Sequence, residues 1–328
     1  MTTRRIFLKQ AVVSAIAAST TTAGIQNISA KNIEPNMLDV IDCHTHFYDP
    51  SRPQGVPWPR KNTPLYRTVL PKHLRALPKP APLSGTVIVE ASRWVEDNQW
   101  LLDLAKDDPF IVGIVGNLQP QSETFAADLK RFAANPLYRG IRVSHKATDQ
   151  LMAEKDLKPF QLLAEHDLEL DINGPPAMLK TASNLSTELP ELRIVINHIG
   201  NISIDKKGPQ VEWINAMKKA ASHKNIFCKV SGLVEGAQRA NGGKKSPCDV
   251  DFYRSYLDVL WDAFGEDRLI YGSNWPVSDR AASYATLQQI VLDYVTQLGP
   301  QQTKKFFSLN AQTAYKWLDR KGRNQHIR

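Results

Sequence analysis

Two histidines one residue apart, His44 and His46, close the apolar run Val40-Ile41-Asp42-Cys43-His44-Thr45-His46. In a strand, alternate side chains share a face. Both imidazoles would then point the same way from one strand end, where they could share a divalent ion or grip one substrate oxygen. Two of the eight histidines in the chain can also fall this close by chance and lie on the surface. The pair therefore gains meaning only from what stands at the other strand ends.

Apolar runs without polar alternation recur at residues 86–90, 110–115, 140–143, 168–172, 193–197, 226–230 and 269–271, which with the first makes eight. Segments of helical period lie between them, among them 98–106, 125–134, 158–166, 211–223 and 252–264. Strands apolar on both faces and separated by helices build a parallel α/β sheet. Eight such units fit a closed (β/α)8 barrel of the TIM type, in which functional groups collect at the C-terminal strand ends. The candidate ends are polar in this chain. The second carries Glu90, the fourth Arg142, the fifth Asp171 and Asn173, the sixth His198, the seventh Lys229 and Ser231, and the eighth Asn274; the third offers nothing. Polar groups at the ends of buried runs are costly unless partnered, so their recurrence argues for one shared site. No glycine-rich phosphate fingerprint follows the first strand, which speaks against a dinucleotide fold. Helices after residue 281, including 301–307 and a final helix capped by Asn310 and running to 318, would complete the outer ring.

Composition narrows the function classes. Of 328 residues, 42% are hydrophobic and 23% charged, ordinary for a soluble globular protein. The net charge is +8, but Arg4, Arg5 and Lys9 lie in the first 30 residues, and no basic stripe with interleaved aromatics marks a nucleic-acid partner. The three cysteines have neither metal-finger nor redox spacing, and Cys43 and Cys228 fit small buried positions. Thr3-Arg4-Arg5-Ile6-Phe7-Leu8-Lys9 has the form of a twin-arginine signal, and the Ala/Ser/Thr-rich stretch 11–25 after it is too short and polar for a stable membrane span. Residues 1–30 are thus expected to be a signal peptide read by the twin-arginine export machinery and cleaved after Ala30. Residues 31–328 are then one exported, periplasmic-type barrel domain. The stretch 47–82, dense in proline, is expected to be a loop folded over the strand ends. On it Trp58 would form a wall of the pocket, and Trp275 beside Asn274 would line it. His73, His166, His223 and His326 fit solvated positions, and His145 adjoins the fourth strand end.

The motifs DCHTH, GTVIVEA, RGIRVS, INHIGN, KVSGL and YGSNWPVS, in that order over residues 38–318, resemble the amidohydrolase superfamily. The likeness is to its branch of TIM-barrel hydrolases with the sugar-lactone and 2-pyrone-4,6-dicarboxylate lactonases. The resemblance implies that His44, His46 and His198 ligate one divalent metal, zinc by the ligand types. It equally allows that they polarise a carbonyl with no metal, as in other members. A binuclear site is not implied, since the fifth strand lacks a further histidine and Lys146 lies beyond the fourth. Arg142 and Lys229 would hold a substrate carboxylate or polyol. Asn274 stands where the family pattern has an aspartate acting as general base, and an amide cannot take that proton at neutral pH. Either another carboxylate serves, with Glu90 first and Asp171 and Asp279 behind it, or the barrel binds a sugar acid without catalysis. The expected function is hydrolysis of a sugar or pyrone-type lactone or a related ester, a small-molecule substrate in each case; non-oxidative decarboxylation is the alternative chemistry.

Overall fold

The computed structural model describes residues 38–320. The twin-arginine segment, its cleavage site and His326 lie outside them. Eight parallel strands run in chain order around one sheet: β1 (Val40–Thr45), β2 (Leu83–Val89), β3 (Ile111–Gly116), β4 (Tyr138–Ser144), β5 (Glu169–Asn173), β6 (Ile194–Ile196), β7 (Ile226–Val230) and β8 (Leu269–Tyr271). The sheet returns on itself through a parallel bridge between Thr45 and Trp275, where the His46 N–H donates to the Trp275 carbonyl at 2.9 Å. Helices lie between the strands, so every expected strand is present in a (β/α)8 barrel.

The strands are apolar on both faces because two separate cores need them. Ile88, Ile114, Ile141, Leu170 and Ile196 pack outward beneath the helices. Ile41, Cys43, Val87, Val89, Val112, Val195, Phe227 and Ile270 fill the barrel interior together with Tyr315 and Trp317 from the C-terminal segment. Val and Ile suit both positions, being stiff side chains that pack well on a pleated surface.

Two irregularities position the site. The β1–β2 register shifts between Asp42 and Thr45. This bulge lets Cys43 fill the interior while His44, its chain neighbour, also reaches Lys229 across the barrel. Asp42 faces the other way and knots β1 to the end of β8. It accepts from the Ser273 N–H at 2.9 Å, the His44 N–H at 3.1 Å and the Tyr284 hydroxyl at 2.9 Å. The second irregularity is chemical. Part of the interior is ionisable, with Glu169, Asp171 and Lys229 all fully buried. Gly140 makes room for this layer, since a Cβ there would sit 2.2 Å from Glu169 Oε1.

The stretch 47–82 does fold over the strand ends. It holds one short helix, Pro71–Arg75, that the proline density did not suggest. A Tyr48–Val69 bridge closes it on itself, and Arg52 ties it to the helix Asp97–Lys106 through a 2.9 Å ion pair with Asp97. Asn310 caps nothing. Its backbone continues the helical run from Lys305–Leu309 into Asn310–Tyr315, and its amide donates to the carbonyls of Glu266 and Leu269 at 2.8 Å. Among the described residues no helix is long and apolar enough to cross a membrane.

Candidate active site

A cavity of about 360 Å³ opens at the C-terminal ends of the strands, walled by His46, Glu90, Arg142, Asn173, His198 and Asn274 from the strand ends. Trp58 closes one side, and its ring meets those of Tyr48 and His46 at 5.3 and 6.0 Å. The volume suits one small ligand, and the place is where barrels of this kind carry their chemistry.

His46 faces oxygens at both ring nitrogens, and its neutral ring donates from one of them. Nδ1 lies 2.9 Å from the Val89 carbonyl and 3.1 Å from that of Glu90, while Nε2 lies 3.2 Å from Asn274 Oδ1. These acceptors favour an imidazolium, but burial, with the Arg142 charge added, outweighs them and takes the pKa down to about 3. His198 follows β6 in a run of four left-handed residues, His198 to Asn201, which includes the β-branched Ile199 at φ 47°. Such a backbone persists only where its surroundings over-determine it. Trp213 Nε1 donates to the Ile199 carbonyl at 3.0 Å, and Gly232 packs so closely that a Cβ would lie 2.8 Å from that of His198. The Ser231 hydroxyl, 2.9 Å from His198 Nδ1, fixes the ring. Burial first, then the charges of Lys229 and Arg142, hold this histidine well below its usual range.

His44 lies beneath both rings and off the cavity wall. It is fully buried, with ring centroids 5.0 Å from His46 and 4.3 Å from His198. Its Nδ1 is 3.2 Å from Lys229 Nζ, and that ammonium donates to Asp171 Oδ2 at 2.6 Å. A lysine paired in this way offers only donors, so His44 Nδ1 accepts. The neutral ring, its pKa lowered by burial and then by Lys229, carries its proton on Nε2, which has no partner among the described residues.

This arrangement tests the metal expectation. The three imidazoles do come together, but they do not fit a three-histidine ligand set. A ligating nitrogen needs its lone pair, and one nitrogen of His44 faces an ammonium while the other bears the proton. Among the described residues no cluster of three or more His, Cys, Asp or Glu is disposed to hold an ion.

Other expected residues are placed differently from the strand-end reading. Lys229 does not reach the cavity; it is fully buried in the ion pair with Asp171, above the Tyr315 ring, because its position on β7 points inward below the rim. Trp275 is also off the wall. It packs against Phe47 and donates from Nε1 to Asp279 Oδ2 at 3.1 Å. His145 is buried against Gly174 rather than facing the cavity. Glu90 does line the cavity, but Arg142 takes both its side chain, 2.8 Å from Nε to Oε1, and its carbonyl, 2.9 Å from Nη2. Asp171 is committed to Lys229 and to the Tyr315 hydroxyl, and Asp279 to Trp275 and Arg67.

Sequence inspection missed Glu235, Arg239 and Arg280, which complete the cavity. Glu235 is the third residue of the helix Leu233–Ala240, buried, with Oε1 accepting from Asn274 Nδ2 at 2.7 Å. A search confined to strand ends stops at Ser231. The available signal was an acidic residue in the first turn of an amphipathic helix that begins directly behind the KVSGL strand.

The histidine environments have a measurable consequence. Imidazole nitrogen NMR should find His44, His46 and His198 neutral throughout pH 5–8, with His46 protonating only near 3. The sign follows from linkage. Each ring binds fewer protons folded than unfolded, so the stability it contributes is complete above pH 6.5 and lost as pH falls toward the folded value. A titration of any of the three near pH 6.5 would contradict the burial described.

A family model described as Amidohydrolase matches residues 41–317. The chain belongs to this family. The L-fucono-1,5-lactonase of Burkholderia ambifaria is 31% identical over 297 residues, covering 87% of this chain and 98% of that protein. The L-fucono-1,5-lactonase of Burkholderia multivorans is 28% identical over 266 residues, 76% of this chain and 86% of its own. An amidohydrolase of Burkholderia multivorans solved with bound zinc superposes with a TM-score of 0.72 at 23% identity, covering 85% of this chain and 100% of that one. At that identity the likeness bears on the fold, which it shares. Family membership and barrel are thus as the sequence motifs implied.

Proposed function

We propose that this amidohydrolase-family barrel hydrolyses a lactone, opening a sugar-acid or related ring to the hydroxy acid. The observation that carries the proposal is the convergence of neutral His198, the Arg142 guanidinium and a buried carboxylate on one cavity sized for a single small ring. The lactonase names of its relatives agree with it. Arg142 spends Nε and Nη2 on Glu90, which fixes the guanidinium plane and leaves Nη1 to donate to substrate oxygen. His198, held through Nδ1, lines the same cavity and has Nε2 free of that contact. A carbonyl oxygen seated between them is polarised where negative charge develops in acyl transfer, a contribution of the oxyanion-hole kind. Arg239 and Arg280 add positive charge to the wall, which suits an acid-bearing substrate and the carboxylate product.

The reaction proposed here uses no metal, because the His44 lone pair is withheld by Lys229. The test is ring opening of L-fucono-1,5-lactone, other aldonolactones and a pyrone dicarboxylate lactone, followed by pH-stat before and after dialysis against a chelator. Protein-dependent opening that survives chelation is expected. Failure to open any of them overturns the lactonase proposal, carbon dioxide release would instead identify a decarboxylase, and activity lost with a stoichiometric ion would overturn the metal-free route.

A further inference from the structure

Hydrolysis needs a group to take a proton from the attacking water, and the cavity has to supply it without residue 274. Glu90 is clamped by Arg142, whose Nη2 lies 2.6 Å and Nε 2.8 Å from the same oxygen, Oε1, so the carboxylate is already committed to the guanidinium. Asp171 is fully buried with both oxygens engaged and does not touch the cavity. Asp279 lies off the wall and binds the Trp275 indole. Glu235 remains. It lines the cavity, Oε1 is positioned by the Asn274 amide, and among the described residues it forms no ion pair and its buried Oε2 has no hydrogen-bond partner.

We propose that Glu235 is the general base of the lactone hydrolysis, with Asn274 acting as the positioning residue that locks its carboxylate against His46. The proposal rests on the lactonase reading above. In the step, the Glu235 carboxylate accepts a proton from water while the water oxygen bonds to the lactone carbonyl carbon, and the carbonyl π pair moves onto its oxygen. When that pair returns, the ring C–O bond breaks and the departing ring oxygen takes the proton from Glu235. Lactone and one water become one hydroxy acid, and Glu235 ends as the carboxylate it began as.

The surroundings suit a base that cycles in this way. Burial raises the Glu235 pKa, opposed by its own backbone, by Asn274 and by the charges of Arg239 and Arg280. A base brought closer to the operating pH is more effective than an ordinary carboxylate. Tyr253 also feels the Glu235 charge, and burial, more than that charge, pushes its phenol pKa up. Asn274 joins the two titratable neighbours, Nδ2 on Glu235 and Oδ1 facing His46 Nε2. It sits at φ 59°, a left-handed position that Asn and Asp both tolerate. Carboxylate and amide can therefore be exchanged between positions 235 and 274 without remaking the backbone.

That exchange is the test. Glu235→Gln keeps size and hydrogen bonding and should lower kcat by about 10²–10⁴-fold, with KM within about threefold and an unchanged melting temperature. In the wild type kcat/KM should rise with pH as Glu235 ionises, and Glu235→Gln should lose that limb. The double variant Glu235→Gln/Asn274→Asp returns one carboxylate to the pair and should recover at least tenfold over Glu235→Gln, with the limb displaced. Glu235→Gln retaining more than a tenth of wild-type kcat overturns the proposal, as does a loss that the double variant does not repair. A wild type that opens no lactone removes the lactonase reading itself, and the assignment of Glu235 with it; an active wild type with an active Glu235→Gln removes only the latter.

Discussion

Replacing Lys229 with methionine should destabilise the barrel by about 3–5 kcal/mol, measured as a fall in the urea midpoint, because it strands a buried carboxylate. Lys229 and Asp171 are both fully buried and 2.6 Å apart. Without the ammonium, Asp171 keeps only the Tyr315 hydroxyl at 3.0 Å and must take up a proton or remain charged in the interior. Glu169, on the same strand, gives it no relief, since burial, and then the charge of Asp171, raises the pKa of Glu169 well above the usual range. The companion variant Lys229→Met/Asp171→Leu removes both charges and should regain most of the loss, since buried pairs replaced whole by apolar groups are often neutral or stabilising. A loss below about 1 kcal/mol in the single variant would mean that the buried pair does not hold the charge described. The double variant also separates folding from function. It frees His44 Nδ1 from its donor, so the ring can change tautomer under His198, and a folded protein with altered kcat is the expected outcome.

The same residue shows where sequence stops being informative. Eight apolar runs separated by helical periods determine the barrel, because only strands buried on both faces need them, and each run became a strand. Polar residues closing those runs located Glu90, Arg142, His198 and Asn274 on one cavity, since the C-terminal strand ends meet there. For Lys229 the rule fails by one step. On a strand buried on both faces, a polar side chain just below the rim looks like one at the rim, and only the partner Asp171, two strands away on β5, shows that it turns inward. His44 is misread for a related reason, since the β1 bulge that carries it under the cavity leaves no mark in the pattern. Glu235 was invisible for the opposite reason. It lies on a helix whose first turn reaches back over the barrel mouth, and no strand-end rule looks there. The base-bearing position thus moved from a place the sequence marks to one that only the packing of β7 against its helix reveals.

Substituting His198 with asparagine should lower kcat/KM for lactone opening by about 10²–10³-fold, the usual cost of removing one preorganised donor to a developing oxyanion. Asparagine is the informative choice. His198 lies at φ 53° within the left-handed run, a conformation that asparagine tolerates better than most residues, so lost chemistry is not confused with lost structure. Asparagine accepts that backbone and can still meet the Ser231 hydroxyl, but it is too short to present a donor where Nε2 stands. Melting temperature should therefore hold while activity falls. Ser231→Ala should have a smaller effect of the same kind, because it loosens the ring without removing it. If His198→Asn opens lactones within threefold of the wild type, the carbonyl is not polarised from the β6 end, and Arg142 alone must carry that charge. If instead the variant unfolds, the left-handed run depends on the imidazole wedged against Gly232, and His198→Gln, with its longer reach toward the cavity, would then separate the two roles.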